Sequence, residues 1–164
     1  MKPERTIFHP YLMLVYALIG MSIALYDVYM IHTGQLLWCP PPIDGCNTVA
    51  YSPDGRIWGV PIGYFGVVFY SIMLVLAALL VLSTSWRGLR LASLLYTGIG
   101  VCGSIGFMYL DITVIRAFCI YCLISAILTV LLLLSAIAHF KALAGGHEPI
   151  TNGEEAKMRL DRNC

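Results

Sequence analysis

Four long segments without Lys, Arg or Glu are the feature that most constrains the fold of this chain; they cover about residues 11–31, 60–82, 91–110 and 118–140. Each is close to the roughly 20 residues that an α-helix needs to cross a hydrocarbon layer about 30 Å thick. Lipid offers no hydrogen-bond partner to the backbone, so each segment must be helical. The sequence therefore predicts an all-α integral membrane protein built as a bundle of four transmembrane helices.

The composition of the 164-residue chain excludes two other classes of protein. Hydrophobic residues make up 59% of it and charged residues only 12%, against about 25% charged residues in an average soluble domain. This excludes a soluble globular domain, because one small interior could not bury so much apolar surface. The net charge of +1 gives no basic field of the kind that attracts nucleic acid.

The distribution of Lys and Arg predicts how the helices are oriented. If the N-terminus is cytoplasmic, eight of the ten basic residues lie on the inside, and only Arg56 and Arg116 lie outside. The excess of positive charge on cytoplasmic segments then places residues 1–10 and the tail 141–164 in the cytoplasm. The four-helix domain spans residues 11–140, and its first external loop spans residues 32–59.

Two cysteine pairs fall on the external side of this topology. Cys39 and Cys46 occur in C-P-P-P-I-D-G-C, and Cys119 and Cys122 occur in F-C-I-Y-C at the start of the fourth span. Residues three apart share a helix face, and the helix N-terminus, with Arg116 nearby, favours a thiolate on Cys119. Cys122 lies one turn deeper, toward lipid-soluble electron acceptors. Two pairs facing an oxidising compartment favour dithiol redox chemistry.

Other roles remain open for these cysteines. The C-x-x-C residues could pack as small apolar side chains, and Cys39 and Cys46 could form a structural disulfide. The four sulfurs could also bind zinc or copper(I) in a metal-binding or transport protein, although only His32 lies near either pair, and no metal site is expected. Cys102 is predicted to pack within the third span, and Cys164 to have no role in the chemistry.

Two acidic residues lie close to the external ends of spans. An acid at membrane depth is a candidate for function, but Asp27 is only about four residues from the external loop. This position favours a solvated group at the membrane interface. Asp111 lies in a similar position and is predicted to pair with Arg116 across the turn between the third and fourth spans.

The motifs of the chain resemble those of bacterial members of the vitamin K epoxide reductase family. The resemblance rests on the loop cysteine pair, on Ser52 six residues after Cys46, on F-C-x-x-C at the start of the fourth helix, and on F-G-x-x-F-Y at Phe65 to Tyr70. It extends over about residues 9–140. The DsbB family, which also has four spans, carries its C-x-x-C in the first external loop, so the order of the pairs argues against it.

This resemblance implies a quinone-dependent thiol oxidase in the bacterial inner membrane that supports disulfide bond formation. A separate periplasmic protein, thioredoxin-like or DsbA-like, would pass two electrons to Cys39 and Cys46. These would pass them to Cys119 and Cys122, and Cys122 would reduce ubiquinone or menaquinone in a pocket enclosed by the four helices.

The resemblance also implies which residues contact the quinone. These are Cys122, Phe65, Ile62 and Ala126, together with Ser52, which would hold the loop over the pocket. Animal members carry an Asn and a Tyr at the positions of Ile62 and Ala126. The absence of these polar groups favours quinone reduction over epoxide reduction, with Cys122 and the nearby backbone as the main polar contacts.

Overall fold

The computed structural model describes residues 4–40, 45–82 and 86–144. The tail predicted for residues 145–164, which includes Cys164, lies outside the described residues. The helices are, in chain order, α1 (Glu4–Thr33), α2 (Cys46–Tyr51), α3 (Ile62–Leu82), α4 (Arg87–Leu110) and α5 (Ile120–Ala144). All except α2 are long and apolar enough to cross a membrane. The prediction of a four-helix membrane bundle is confirmed.

Helices α1 and α5 pack against each other, and each also packs against one of the other two long helices. Helix α1 packs along both α3 and α5, and α4 packs mainly against α5. Close approach depends on small residues: a Cβ atom at Gly20 of α1 would overlap the ring of Tyr70 on α3. Large apolar side chains are exposed on the outer faces of the helices, as lipid contact requires. Buried apolar residues, both large and small, fill the centre of the bundle: Met13, Ala17, Met73, Ala77, Leu80, Leu132 and Ala136.

The external segment between α2 and α3 contains a small β-ribbon. Strand β1 (Arg56–Ile57) pairs antiparallel with β2 (Val60–Pro61). Trp58 and Gly59 join the strands, and both have positive φ angles, of 50° and 81°, as tight two-residue hairpin turns require. The sequence predicted only a loop here. The turn places the Trp58 side chain in an almost fully exposed position.

A π-helical turn, Asp111–Ile115, follows α4 directly. Arg116 then adopts a left-handed conformation with φ 54°, and the Ala117 N–H donates a hydrogen bond to the Asp111 carbonyl oxygen at 3.0 Å. The π-turn packs against α2 and against the 3₁₀ turn Pro53–Gly55. Because α5 begins only a few residues later, this arrangement brings its N-terminus beneath the external loop.

Candidate redox site

The loop cysteines form a disulfide bond. Cys39 and Cys46 are joined, with their Cα atoms 6.3 Å apart. Cys46 is the first residue of α2 and is fully buried, whereas Cys39 is half-buried. The pair therefore presents one sulfur atom toward the surface and the other toward the interior of the protein.

Hydrogen bonds from Asn47 fix the two arms of the disulfide loop to each other. Its side-chain oxygen accepts a hydrogen bond from the Leu37 N–H at 2.7 Å, and its amide nitrogen donates one to the Leu37 carbonyl oxygen at 3.1 Å. Leu37 itself is buried beside Cys46. The two arms are thus held together by contacts other than the S–S bond.

Tyrosine side chains attach the same loop to the bundle. The Tyr121 hydroxyl of α5 donates a hydrogen bond to the Trp38 carbonyl oxygen at 2.6 Å, and the Trp38 N–H donates a longer one, of 3.5 Å, to the Tyr26 hydroxyl of α1. The Tyr51 hydroxyl of α2 donates a hydrogen bond to the Gln35 carbonyl oxygen at 2.7 Å. Helices from both ends of the chain therefore hold the residues beside Cys39.

The C-x-x-C cysteines are free thiols at the start of α5. Cys119 immediately precedes the helix and is buried, and Cys122 is half-buried one turn later. The Cys122 N–H donates a hydrogen bond to the Cys119 sulfur at 3.4 Å. A hydrogen bond from the Cys122 thiol, with backbone N–H groups of the first turn, lowers the pKa of Cys119 below its ordinary value despite burial. Cys119 is therefore suited to react as a thiolate.

A small cavity connects the two cysteine pairs. Its volume is about 20 Å³, and its lining includes Cys46, Cys119 and Cys122. Cys46 and Cys119 also belong to one buried cluster with Leu37 and Val49. Cys46 of the loop disulfide and the C-x-x-C cysteines thus line the same small cavity.

A larger cavity of about 250 Å³ extends from the C-x-x-C motif into the bundle. All four long helices line it. Its apolar wall includes Ile23, Phe65, Phe69, Ile99 and Phe107, and its polar lining includes Asp27, Tyr70, Ser104, Tyr121, Ser125 and Thr129 as well as the two thiols. An apolar space with a few polar groups can accept a planar ring that carries two carbonyl oxygens.

The predicted quinone contacts are placed unequally around this cavity. Cys122, Ile62 and Phe65 line it, but Ser52 and Ala126 are not among its lining residues. The Ser52 hydroxyl accepts a hydrogen bond from the Gly55 N–H at 3.1 Å, which orders the 3₁₀ turn of the external loop. The backbone oxygen of Ala126 accepts a hydrogen bond from the Thr129 hydroxyl at 2.8 Å.

Four hydroxyl side chains that the sequence did not predict also line the large cavity: Tyr70, Ser104, Ser125 and Thr129. The Tyr70 hydroxyl lies 2.9 Å from the Ser125 hydroxyl, and the Ser104 hydroxyl lies 3.2 Å from that of Thr129. The prediction that Cys122 and the nearby backbone are the main polar contacts of a quinone stays a prediction, and these hydroxyl groups are further polar groups near them. Tyr70 ends the F-G-x-x-F-Y motif, and Ser125 lies one turn after Cys122 on α5, so helical spacing from known motifs could have identified both.

Two acidic residues lie close to the C-x-x-C thiols. Asp27 lines both cavities, which corrects its interpretation as a solvated interfacial group. Asp111 is buried and interacts with the Cys122 side chain, and neither of its carboxylate oxygens has a hydrogen-bond partner at normal geometry within the described ranges. The predicted pair with Arg116 is not formed, because Arg116 is exposed after the π-turn.

Metal binding and packing are the other roles open to the cysteines. Within residues 4–40, 45–82 and 86–144, no group of three or more His, Cys, Asp or Glu residues is placed to hold a metal ion. Cys102 is exposed on α4. The prediction that it packs inside the bundle is therefore wrong, and its side chain faces outward from the helices.

Comparison with known proteins gives one family for this chain. The model of the Vitamin K epoxide reductase family matches residues 11–137, a range that includes the four long helices in large part and both cysteine pairs. No curated protein matches the chain. The chain belongs to the vitamin K epoxide reductase family, and it is a multi-pass membrane protein of a family of oxidoreductases that use quinone as the electron acceptor.

Proposed function

We propose that this member of the vitamin K epoxide reductase family is a membrane thiol oxidase that supports disulfide bond formation. It takes two electrons from a thioredoxin-like or DsbA-like protein through Cys39 and Cys46. It then passes them through Cys119 and Cys122 to a membrane quinone. The observation that carries this proposal is the placement of the C-x-x-C thiols in the lining of two cavities, one shared with Cys46 and the other lined by the four long helices.

The burial of the loop cysteines supports their order in the first transfer. A thiolate of the partner protein attacks Cys39, the less buried sulfur, and displaces Cys46 as a thiolate. The second thiol of the partner then releases it as a disulfide, which leaves Cys39 and Cys46 reduced. Exchange through thiolate attack needs only that each sulfur can reach the next one in line.

The shared small cavity supports the second transfer. Reduced Cys46 attacks Cys119 of an oxidised C-x-x-C pair, and Cys122 leaves as a thiolate. Cys39 then attacks Cys46, which re-forms the loop disulfide and leaves Cys119 and Cys122 as thiols. In this proposed cycle, a loop disulfide together with free C-x-x-C thiols is the state that would precede transfer to a quinone.

The larger cavity supports the binding of a quinone ring, ubiquinone or menaquinone, beside Cys122. When bound, a quinone accepts two electrons and two protons. Phe65, Phe69 and Ile62 would hold the ring by apolar contact. The hydroxyl groups of Tyr70 and Ser104 would donate hydrogen bonds to the carbonyl oxygens of the quinone. These two hydroxyl groups would replace the Asn and Tyr side chains that animal members of the family use.

The proposed orientation puts the cysteines on the periplasmic side of a bacterial inner membrane, with residues 1–10 and 141–164 in the cytoplasm and the membrane domain at residues 11–140. The bias of Lys and Arg supports it. Trp38 and Trp58 are both exposed on the loop side. Exposed tryptophans at this level would anchor the loop in the headgroup region of the membrane.

Anaerobic turnover of the purified protein in detergent tests the function. The protein would be mixed with a reduced DsbA-like protein and a short-chain ubiquinone or menaquinone, while quinone absorbance and partner thiols are followed together. Two thiols lost for each quinone reduced, with no turnover in Cys119→Ser and normal turnover in Cys102→Ser, is the expected result. Quinone reduction that persists in Cys119→Ser, or its absence in the folded native protein, would contradict the proposal.

A further inference from the structure

The side chain of Asp27 occupies a position that connects the two cavities. It lines the small cavity together with Cys46, Cys119 and Cys122, and it lines the large cavity opposite α4 and α5. Cys119, Cys122 and Tyr121 line the large cavity together with it. An acidic group thus lies among the sulfur atoms and at the wall of the cavity proposed for quinone.

The packing of α3 against α1 keeps this position open for a carboxyl group. Gly63 of α3 faces Asp27, and a Cβ atom at residue 63 would overlap the Asp27 Oδ2 atom. The neighbouring Gly66 makes a similar approach to Ala24 of α1, where an added Cβ would lie 3.3 Å from the Ala24 Cβ. The absence of a side chain at Gly63 therefore leaves room for a half-buried acid at this level of the bundle.

An acidic residue within a membrane span is costly in free energy and is a candidate for function. Asp27 is half-buried inside the bundle, and the described structure places no Lys or Arg in either cavity lining. A carboxyl group in such surroundings is typical of a group that exchanges protons with a bound substrate.

We propose that Asp27 is the acid that gives a proton to the quinone oxygen during electron transfer from the C-x-x-C pair. This inference rests on the proposed function and extends it, because it assigns the proton path that quinone reduction requires. It makes Asp27 a catalytic residue of the reaction, in addition to the four cysteines.

The reaction balances with Asp27 acting first as an acid and then as a base. The S–H bonds of Cys119 and Cys122 break, an S–S bond forms between them, and their two electrons pass to the quinone. Asp27 starts protonated and donates its proton to one quinone oxygen. Its carboxylate then takes the proton of one thiol. The proton of the other thiol passes to solvent, and the second quinone oxygen takes one proton from solvent, so that a quinol results.

Other polar groups near Cys122 are less well placed for this role. Asp111 also interacts with Cys122, but it does not line either cavity and would reach a bound ring only through the sulfur. The Tyr70 and Ser104 hydroxyl groups line the large cavity and can donate hydrogen bonds there, but a phenol or alcohol gives up its proton much less readily than a carboxyl group does. Asp27 is the carboxyl group that the described structure places in the cavity lining.

Two half-reactions separate the role of Asp27 from that of the cysteines. In the first, oxidised protein is mixed with dithiothreitol without quinone, and thiol loss is followed. In the second, the reduced protein is mixed with a short-chain ubiquinone in a stopped-flow instrument. We expect Asp27→Asn to slow the second reaction by about 100-fold, which is at the lower end of general acid–base contributions, and to change the first by less than threefold. Asp54→Asn, at an exposed acid of the external loop, is the matched control.

Chemical rescue distinguishes proton transfer from a structural role. Asp27→Ala leaves a space beside the thiols, and added formate should restore quinone reduction at least tenfold toward the native rate, whereas chloride at the same ionic strength should not. Quinone reduction within threefold of native in Asp27→Asn, or a slow variant that formate does not rescue, would overturn the inference. Failure of the proposed function would look different, because the native protein itself would not reduce quinone.

Discussion

The two cysteine pairs are held in place by different kinds of contact. Side-chain hydrogen bonds from Asn47, Tyr121 and Tyr51 position the loop pair, Cys39 and Cys46. The helix pair, Cys119 and Cys122, is positioned by the backbone of the first turn of α5, where the Cys122 N–H donates a hydrogen bond to the Cys119 sulfur. The loop pair therefore depends on a few side chains, and the helix pair depends on the fold as a whole.

This difference suits the two steps that the pairs would perform. The loop pair must meet a second protein and then return to Cys119, so its position should be adjustable without unfolding the bundle. The helix pair faces a cavity formed by four long helices, where a small displacement would change its distance to a bound ring. Variants that affect one pair and spare the other test whether the two are separable in this way.

The largest expected effect comes from the helix pair. Cys122→Ser removes one of the two thiols that line the large cavity. Quinone reduction should fall by at least about 10³-fold, because the two thiols act as one unit. Oxidation of a reduced partner in a single turnover should persist, since the loop disulfide is intact. Stopped-flow measurement of both reactions checks this, with Cys102→Ser, exposed on α4, as the control. Retained quinone turnover would remove Cys122 from the pathway.

A second effect should depend on the electron donor. Cys39→Ala removes the more exposed sulfur of the loop pair, so oxidation of a DsbA-like protein should fall to background. Dithiothreitol is small enough to reduce the C-x-x-C pair directly and should still support quinone reduction. Both donors would be assayed with the same preparation. Equal loss of activity with both donors would mean that the loop pair is needed for the structure of the helix pair.

A smaller effect is expected when the loop is loosened and its cysteines are kept. Asn47→Ala removes two hydrogen bonds to Leu37, each contributing about 1 kcal/mol. We therefore expect transfer from the loop pair to the helix pair to slow by roughly 5–30-fold, a factor that corresponds to 1–2 kcal/mol, while quinone reduction by the pre-reduced C-x-x-C pair stays normal. Rapid mixing with reduced partner measures the transfer.

Tyr51→Phe provides a graded comparison for Asn47→Ala. It removes one hydroxyl donor, which the Gln35 carbonyl oxygen accepts at 2.7 Å and the Met30 carbonyl oxygen at 3.5 Å, and this donor lies farther along the chain from the disulfide than Asn47 does. The rate of transfer should therefore fall less than in Asn47→Ala. A larger loss in Tyr51→Phe would show that the attachment of the loop to the start of the bundle matters more than the contact between its two arms.

Hydrophobicity and charge were sufficient to predict the bundle. A membrane permits few backbone structures, so four apolar segments lead almost directly to four helices, and the motifs around Cys39 and Cys119 led to the family that the comparison shows. The β-ribbon was missed because its two strands have two residues each. Strands this short have no periodic pattern, and here a turn at Trp58 and Gly59 creates the pairing.

The lining of the large cavity was predicted less completely than the cysteines. Asp27 was interpreted by its distance along the chain from the loop, but its actual surroundings depend on which face of α1 meets Gly63 of α3. Asp111 was expected to meet Arg116, but the π-turn separates them by placing one inside and the other outside. Helix rotation and local changes of helical pitch decide such contacts, and single-sequence patterns do not specify either.

The smallest expected effect concerns the hydrogen bond within the helix pair. Because the Cys122 thiol helps to lower the pKa of Cys119, Cys119 should remain a thiolate to lower pH than an ordinary cysteine. Cys122→Ala removes the donor and should move the alkylation of Cys119 by iodoacetamide to higher pH. Cys122→Ser keeps a donor and should shift it less.

The alkylation rates are best measured in a Cys102→Ser, Cys164→Ser background with the loop disulfide closed, so that Cys119 is the thiol compared in both variants. The native pair in the same background gives the reference profile. Equal midpoints in Cys122→Ala and Cys122→Ser would show that the backbone N–H groups at the start of α5 set the pKa of Cys119 by themselves. The helix pair would then depend on backbone geometry alone, which would make its contrast with the side-chain anchoring of the loop pair complete.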